Sequence, residues 1–335
     1  MARPDLPKQL RKVADRALLK KIEDGLAQVE VALAKATEHT DPIAKVTARH
    51  LVEAGGKRVR PVLVLLAAQL GDSNLEEVID SAVVVELTHL ATLYHDDVMD
   101  EAPTRRGVPT AHTIWGNSVA ILTGDLLFAR ASQVVSRLGE RALTLQADTF
   151  ERLCLGQLHE TVGPQDGDDP VEHYIQVLAD KTGSLISASA QLGVMFSNAP
   201  AEYQDALMKY GEKVGIAFQL IDDVIDLDAD QTSGKTAGTD LRAGVPTLPV
   251  LLLREHARSN PASAALLAKI DGDLSSDEDL AAVVAELRAH PVAERAYLEA
   301  KRWADNAVRD LQSLPKSAVR DALEAFALAV VDRQV

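Results

Sequence analysis

Apolar residues recur at helical spacing along almost the whole chain. The pattern is clearest in two long segments, LRKVADRALLKKIEDGLAQVEVALAKA near the start and AELRAHPVAERAYLEAKRWADNAVRDLQSL near the end. Side chains three and four positions apart share one face of an α-helix, so this spacing predicts amphipathic helices rather than strands. The sequence therefore predicts an all-α protein.

A valine triplet, Val83, Val84 and Val85, is the main signal that competes with this interpretation, because β-branched residues favour strands. The apolar segment around it runs from Leu75 to about Met99 without a turn signal, which is too long for an ordinary strand. We predict one long buried helix here.

Glycine and proline mark the breaks between the predicted helices. Loops are predicted at residues 55–56, 103–109, 163–170, 197–200, 234–249 and 259–261. None of them is long or biased enough to be an interdomain linker, and the chain contains no repeat with a period of 20 to 50 residues. Residues 1–335 are therefore predicted to form a single domain.

Composition and charge limit the possible functions. With 47% hydrophobic and 25% charged residues the chain is typical of a globular protein. A formal net charge of -15 argues against non-specific nucleic-acid binding, because a phosphate backbone would meet repulsion over most of the surface. An anionic ligand would need a local basic site.

Two further features indicate a cytoplasmic protein. Cys154 is the single cysteine, so no internal disulfide can form, and the first residues do not have the pattern of a secretory signal. No continuous apolar run approaches the roughly 18 residues of a membrane-spanning helix. We expect a cytoplasmic location, no transmembrane segment and at most peripheral membrane contact.

The chain carries two copies of an Asp-Asp-x-x-Asp motif, each at the end of a predicted apolar helix. The first copy comprises Asp96, Asp97 and Asp100, and the second comprises Asp222, Asp223 and Asp226. Helical residues four positions apart project from nearly the same face, so the first and last aspartates of each copy can share a cation. Oxygen ligands favour Mg²⁺ or Mn²⁺, and Mg²⁺ keeps positions that substrate phosphates fill. A solvated acidic helix end is the simpler interpretation of one copy, but two copies favour a metal-bound diphosphate.

Dedicated basic groups are expected as well, because carboxylates alone would repel a diphosphate. The segment GGKRVRP, residues 55–61, precedes an apolar helix, and a helix N-terminus is a natural anion site. Taken alone it could be a solvated basic turn. Further basic residues occur in Arg105-Arg106-Gly107, Lys181-Thr182-Gly183 and Gly234-Lys235-Thr236. Four basic sites in an acidic protein indicate two anionic ligands.

Other motif interpretations are weaker. Gly234-Lys235-Thr236 resembles the end of a phosphate-binding loop, but Ala229 occupies the position of the required glycine. The spacing of Glu86 and His89 matches half of a di-iron site in a ferritin-like carboxylate oxidase, and no second Glu-x-x-His completes it. His89 lies about two turns before Asp96, so it can face the same side of the helix; a core histidine is the simpler alternative.

Together, these motifs resemble those of the trans-polyprenyl diphosphate synthase family, from about Ile43 to Leu253. The resemblance implies an antiparallel helical bundle around a deep central cavity, usually a homodimer. It also implies that an allylic diphosphate is condensed with isopentenyl diphosphate. Val245 occupies a position where many members have lysine, which puts that diphosphate contact in doubt.

The resemblance also implies residue roles. Asp96, Asp100, Asp222 and Asp226 are expected to bind Mg²⁺, or Mn²⁺ in its place. Asp97, Asp223, Lys181 and Lys235 are expected to complete the catalytic set. Isopentenyl diphosphate is expected to bind Lys57, Arg60, His89 and Arg106, and the allylic diphosphate Arg105, Lys181, Thr182, Gln219 and Lys235.

Chain length is expected to depend on Ala91 and Thr92, five and four residues before Asp96, one helical turn away. Both are small where short-chain members of the family place a bulky aromatic residue. The resemblance thus favours a medium- or long-chain synthase, such as those making quinone side-chain precursors, with transient membrane contact during product release. The alternatives are that both are ordinary packing residues, a geranylgeranyl- or farnesyl-type short-chain synthase, a silent subunit of a heteromeric synthase, and the di-iron protein.

Overall fold

The computed structural model describes residue 11 and residues 15–228 and 237–332, and these residues are almost entirely helical. The α-helices are α1 (Arg16–Ala36), α2 (Pro42–Glu53), α3 (Val59–Ala68), α4 (Glu76–Met99), α5 (Ala111–Trp115), α6 (Asn117–Val135), α7 (Glu140–Val162), α8 (Pro170–Leu178), α9 (Ser184–Met195), α10 (Tyr203–Ile225), α11 (Thr239–Arg242), α12 (Leu248–Ala257), α13 (Pro261–Ile270), α14 (Asp277–Ala289), α15 (Pro291–Asp310) and α16 (Ala318–Val331). A π-helix, Ala179–Gly183, joins α8 to α9, and a 3₁₀ turn, Leu311–Ser313, follows α15. The all-α prediction is confirmed.

One two-stranded hairpin interrupts the helices in the described part of the chain. Its strands are β1 (Thr104–Arg105) and β2 (Val108–Pro109), which pair antiparallel between α4 and α5. The two central residues, Arg106 and Gly107, have φ values of 54° and 78°. Positive φ at both positions is typical of the two-residue turn that matches strand twist, and glycine adopts it without steric cost.

Local sequence signals explain several helix boundaries. Asp41 accepts a hydrogen bond from the backbone N–H of Ala44, and Pro42 begins α2. Asp169 and Pro170 begin α8 in the same way. An acceptor side chain followed by proline suits a helix start, because the first N–H groups lack partners within the helix. The loops predicted at residues 163–170, 197–200 and 259–261 separate helices as expected.

The long helix α4 begins at Glu76 and ends at Met99, close to the predicted bounds, and the valine triplet within it is buried. It packs on α1, α3 and α6. Gly124 of α6 permits a close approach, since a Cβ atom there would lie 2.3 Å from Nε2 of His95. The last turn of α4 is therefore supported by α6.

Backbone contacts group the chain into two compact units. Unit 1 comprises Met1–Glu151, Leu185–Gly211 and Asp310–Phe326; unit 2 comprises Arg152–Ser184, Glu212–Arg309 and Ala327–Val335. Unit 1 contains the first aspartate motif and the GGKRVRP segment, and unit 2 contains the second aspartate motif and Lys181. The single domain expected from the sequence stays a prediction.

Helix α6 is long and apolar enough to cross a membrane by length and composition, and it is the one such helix among the described residues. The sequence analysis did not identify this helix as a possible membrane span because Asp125 and Arg130 interrupt its apolar run. In the structure, 39% of the 18-residue apolar stretch of this helix is buried inside the protein. Core helices of globular proteins have the same length and composition.

Candidate active site

The first aspartate motif occupies the last turn of α4. Asp96 is half-buried and Asp100 is exposed, whereas Asp97 is 1% exposed. The backbone N–H of Asp100 donates to the carbonyl of Asp96 at 2.8 Å, so the turn remains helical through the motif. The i and i+4 positions therefore place Asp96 and Asp100 on one face, as predicted.

Asp97 faces the interior of unit 1. Nε of Arg105 donates to its Oδ1 at 2.7 Å. Burial raises the pKa of Asp97, while the hydrogen bond and the charge of Arg105 oppose that shift. Asp97 thus holds the β1–β2 hairpin against α4.

Arg106, at the turn of that hairpin, reaches the segment that begins the GGKRVRP motif. Its Nη1 donates to the carbonyl of Leu51 at 3.1 Å and to the carbonyl of Gly55. A Cβ atom at Gly56 would lie 2.8 Å from Cζ of Arg106, so the glycine lets the guanidinium lie close to the backbone there. The predicted basic residues of two separate motifs are therefore brought together.

Arg60 and His89 complete a cationic cluster in unit 1. Burial, opposed by Glu86 and reinforced by Arg106, lowers the pKa of Arg60 to about 10. The Nε atom of Arg60 is buried and has no hydrogen-bond partner. Burial, followed by the charges of Arg60 and Arg106, holds the pKa of His89 well below its ordinary value. A neutral histidine beside closely spaced arginines suits an anionic ligand, because an anion relieves their repulsion.

The second aspartate motif ends α10 in unit 2. Asp223 is 3% exposed, and its Oδ2 accepts hydrogen bonds from the hydroxyl of Tyr174 at 2.7 Å and from the N–H of Leu248 at 3.3 Å. Burial raises the pKa of Asp223 to about 8, against the effect of these two bonds. Asp223 therefore joins α10 to α8 and α12 within unit 2.

Asp226 lies one turn after Asp222, which is half-buried. Oδ1 of Asp226 accepts from Oγ1 of Thr239 at 2.7 Å, and Oδ2 accepts from the N–H of Asp240 at 3.1 Å. Each carboxylate oxygen has a second lone pair, so these bonds leave room for a cation. They tie α11 to the end of α10.

Lys181 and Thr182 lie in the π-helix, a more specific setting than the predicted helix edge. Single π turns inside helices are frequent at functional sites. A Cβ atom at Gly156 of α7 would lie 2.6 Å from the backbone nitrogen of Lys181, so the glycine permits this approach. The side chain of Lys181 forms an ion pair with Glu160.

Arg152 supports the same π turn. Its guanidinium donates to Oδ1 of Asp180 at 2.6 Å, to Oε2 of Glu212 at 2.7 Å and to the carbonyl of Ala179 at 3.3 Å. The motif search did not identify Arg152, Glu160 or Tyr174, because no spacing rule connects them to the residues they contact.

Lys57 is exposed, two positions before α3. Two further predicted substrate residues remain. Gln219 is half-buried on α10, three positions before Asp222, so both project from neighbouring positions on the helix. Lys235 lies outside the described residues. No described contact tests the role expected for either residue.

The two predicted chain-length residues differ in exposure. Ala91 is 0% exposed, and its carbonyl oxygen would lie 3.1 Å from a Cβ atom at Gly124. Thr92 is half-buried, and its hydroxyl donates to the carbonyl of His89 at 2.8 Å. Ala91 is thus closely packed, whereas Thr92 keeps accessible surface, and the role of both residues in chain length stays a prediction.

The side chains available in the site distinguish Mg²⁺ from a di-iron centre. The described residues contain no group of three or more His, Cys, Asp or Glu side chains able to hold a metal ion. A di-iron centre requires such a group, and Glu86, its candidate ligand, is instead paired with Arg58. Mg²⁺ commonly uses only one or two carboxylates together with water and substrate phosphates, so the two aspartate pairs fit it.

Comparison with known proteins gives one consistent family. A sequence model of the polyprenyl synthetase family matches residues 41–287. The chain is 43% identical to a nonaprenyl diphosphate synthase of Mycobacterium tuberculosis, over 96% of each chain. It is 38% identical to heptaprenyl diphosphate synthase component 2 of Geobacillus stearothermophilus, over 95% of this chain and 98% of that protein.

A solved structure agrees with these sequence matches. Geranylgeranyl pyrophosphate synthase from Corynebacterium glutamicum, complexed with calcium and isoprenyl diphosphate, has a TM-score of 0.85 and 43% identity to this chain. The match covers 95% of this chain and 98% of that one.

Proposed function

Because the chain belongs to the polyprenyl synthetase family, we propose that it is a trans-prenyltransferase that condenses isopentenyl diphosphate with an allylic diphosphate. The product is an all-trans polyprenyl diphosphate of medium or long chain. The main support for the proposal is the cluster of Arg60, Arg106 and neutral His89. Two arginine charges lie close together there, and the buried Nε atom of Arg60 has no hydrogen-bond partner, so the cluster suits a polyanion.

A divalent cation completes the proposed site. Calcium in the Corynebacterium glutamicum structure supports divalent-metal binding, and we assign Mg²⁺, with Mn²⁺ as the alternative. Asp96 and Asp100 are the ligands we assign to Mg²⁺ in unit 1, and Asp222 and Asp226 are those we assign in unit 2. When bound, it would neutralise charge on the departing diphosphate.

The protein groups divide between the two substrates. Lys57, Arg60, His89 and Arg106 bind isopentenyl diphosphate; Arg105, Lys181, Thr182, Gln219 and Lys235 bind the allylic diphosphate. Asp97 and Asp223, buried and hydrogen-bonded to protein groups, orient their neighbours instead of contacting the substrate.

The reaction needs no side-chain nucleophile. The allylic C–O bond breaks to give diphosphate and an allylic carbocation, which the double bond of isopentenyl diphosphate attacks. A proton then leaves, and the departing diphosphate accepts it. Fixed positive groups lower the barrier by stabilising the negative charge that develops on the leaving group.

The direct test is incubation of purified protein with farnesyl diphosphate, labelled isopentenyl diphosphate and Mg²⁺, followed by product sizing. The proposal expects labelled prenyl diphosphates that grow by five-carbon steps. Absence of any labelled condensation product from folded protein would contradict it.

A short-chain synthase is the second candidate. The 43% identity to a geranylgeranyl pyrophosphate synthase equals the identity to the nonaprenyl diphosphate synthase, so identity alone does not favour it. The same product sizing separates the two, since a short-chain enzyme stops at twenty carbons or fewer. Use of a longer product in quinone synthesis stays a prediction.

We further propose a homodimer in the cytoplasm. Large apolar side chains are exposed on α5, α6 and the first half of α7: Ile114, Ile121, Leu122, Leu143 and Phe150. Exposed apolar patches commonly mark protein interfaces. Leu122 is 65% exposed, so Leu122→Lys should convert a dimer to a monomer in size-exclusion chromatography with light scattering. A monomeric wild-type protein would contradict the homodimer and direct the search to a second component.

A further inference from the structure

Arg58 lies inside the GGKRVRP segment but is more deeply buried than the other basic residues of that segment. Lys57 is exposed and Arg60 is half-buried, whereas the side chain of Arg58 is 2% exposed. Substrate therefore cannot reach Arg58, and its role must be exerted through its neighbours.

The guanidinium of Arg58 uses all five of its N–H donors. Nε and Nη2 donate to the two carboxylate oxygens of Glu30 at 2.6 and 3.3 Å, and Nη1 donates to Oε1 of Glu86 at 2.8 Å. Nη2 also reaches the carbonyl of Val52 at 3.1 Å, and Nη1 that of Gly55 at 3.4 Å. A guanidinium has five donors in a fixed plane, so this arrangement is complete.

These bonds fix the segment at both ends. Glu30 belongs to α1 and Glu86 to α4, while Val52 belongs to the last turn of α2 and Gly55 is the first residue of the GGKRVRP segment. The side chain of Arg58 thus closes residues 52–58 onto two packed helices. Lys57 and Arg60 lie on either side of Arg58, so their positions can change only as far as this loop moves.

The backbone conformation of Arg58 also constrains the positions of its neighbours in the segment. Its φ of 49° and ψ of 36° are left-handed, which is uncommon for a residue with a Cβ atom, and α3 begins directly after it. The surrounding structure must maintain such a conformation, and the five donated bonds do so. The start of α3, and with it Arg60, is set by this turn.

Glu86 also couples Arg58 electrostatically to Arg60 and Arg106. Burial lowers the pKa of Arg106 and of Arg60, and the charge of Glu86 opposes both shifts. Burial likewise lowers the pKa of Arg58, but the bonds to Glu30 and the charge of Glu86 outweigh it. The carboxylate of Glu86 therefore balances the charges of two half-buried arginines, Arg60 and Arg106, and of the buried Arg58.

We propose that Arg58 is a positioning residue for isopentenyl diphosphate: by holding residues 52–58 against Glu30 and Glu86, it sets Lys57 and Arg60 for the diphosphate without touching it. The inference rests on the proposed function, since it adopts the assignment of Lys57 and Arg60 to this substrate. A buried ion pair is in general a weak source of stability, so a selective effect on one substrate distinguishes positioning from simple support of the fold.

The test is steady-state kinetics with each substrate varied in turn. The variants are Arg58→Gln, Arg58→Lys and Lys57→Ala, with Arg320→Gln as the matched control. Arg320, also in unit 1 and 15% exposed, pairs with Glu324 and donates to the carbonyl of Leu314, so its loss removes similar bonds.

Arg58→Gln should raise KM for isopentenyl diphosphate about tenfold or more and change KM for the allylic diphosphate less than about twofold. Arg58→Lys should raise it as well, because one ammonium cannot span two carboxylates and two carbonyls. Arg320→Gln should change neither KM. Glu86→Gln combined with Arg58→Gln should cost less than the two single changes together, because both disrupt the same contact.

Three results would overturn the inference: unchanged KM for isopentenyl diphosphate in folded Arg58→Gln, equal rises for both substrates, or full rescue by Arg58→Lys. Should Arg58→Gln not fold, Glu30→Gln, which changes a group bonded to Arg58 and leaves Glu86 in place, supplies the same comparison. If Lys57→Ala changes neither KM, the substrate assignment fails, and an inactive wild-type protein means that the proposed function fails instead.

Discussion

The hydroxyl of Tyr174 donates to Oδ2 of Asp223 at 2.7 Å, which makes the second aspartate of the second motif part of the protein interior. In the first motif, Oδ1 of the buried Asp97 likewise accepts a hydrogen bond from Nε of Arg105. In both motifs, therefore, the adjacent aspartates have different surroundings: the first is partly accessible and the second is buried and hydrogen-bonded.

This difference predicts unequal effects of substitution. Asp222→Asn should lower kcat by about 10²- to 10³-fold, because it removes a metal ligand that acts on developing charge. Asp223→Asn should lower it by less than about tenfold, since an amide oxygen can still accept from Tyr174 and Leu248. Initial rates at saturating Mg²⁺ measure both. Equal losses from two folded variants would mean that Asp223 contacts the metal or the substrate.

His89 should take up a proton when isopentenyl diphosphate binds. Burial and neighbouring arginines hold its pKa well below 6.5 in the free protein, and a bound polyanion favours the charged form. Calorimetry near pH 6, in two buffers of different ionisation enthalpy, should show uptake by wild type that is up to about one proton greater than that of His89→Asn. The same uptake in both proteins would place the diphosphate elsewhere.

The same shift has a consequence for stability. Because the folded pKa of His89 lies below the unfolded one, the unfolded chain binds more protons below pH 6.5, and the free energy of unfolding falls as pH decreases through that value. Part of this decrease should be absent in His89→Asn, measured by denaturant unfolding between pH 5 and 7.

Product length should respond more cleanly to Thr92 than to Ala91. Thr92→Phe places a ring on partly accessible surface and should shorten the main product while the first condensation persists. Ala91→Phe enters a fully packed position and should destabilise the fold by about 1 to 3 kcal/mol. Reverse-phase sizing of products and thermal melting measure the two effects. An unchanged product length from active Thr92→Phe would locate the length determinant at other residues.

The π turn at Lys181 provides a further test. Gly156→Ala would put a Cβ atom 2.6 Å from the backbone nitrogen of Lys181, so the turn must shift, and KM for the allylic diphosphate should rise several-fold. Gly193→Ala is the matched control, since its Cβ would lie 2.4 Å from the carbonyl of Val64 in unit 1. It should destabilise the protein without a substrate-selective change. Similar kinetics for the two variants would show that the π turn does not contribute to binding of the allylic diphosphate.

The sequence predicted those features that follow from periodicity and from short motifs. Helical spacing predicted α4 almost to its ends despite Val83, Val84 and Val85, because a strand of that length would be exceptional. The spacing of four within each aspartate motif predicted which two carboxylates share a face.

Contacts between distant segments could not be predicted in this way. The five bonds of Arg58 depend on how α1 and α4 pack, and nothing in the motif distinguishes it from Lys57 or Arg60. The burial of Ala91 depends likewise on Gly124, thirty-three positions later. A single sequence contains the residues of such contacts but not their pairing.

Prenyl transfer by this protein should depend strictly on a divalent cation. The initial rate of labelled isopentenyl diphosphate incorporation should be measured in EDTA and again after Mg²⁺ is restored in excess. EDTA should abolish incorporation and Mg²⁺ should recover it, because Asp96, Asp100, Asp222 and Asp226 carry the same sign of charge as the substrate. Full incorporation by dialysed protein in EDTA would show that no divalent cation is needed, and an iron absorption band without prenyl transfer would indicate the di-iron protein instead.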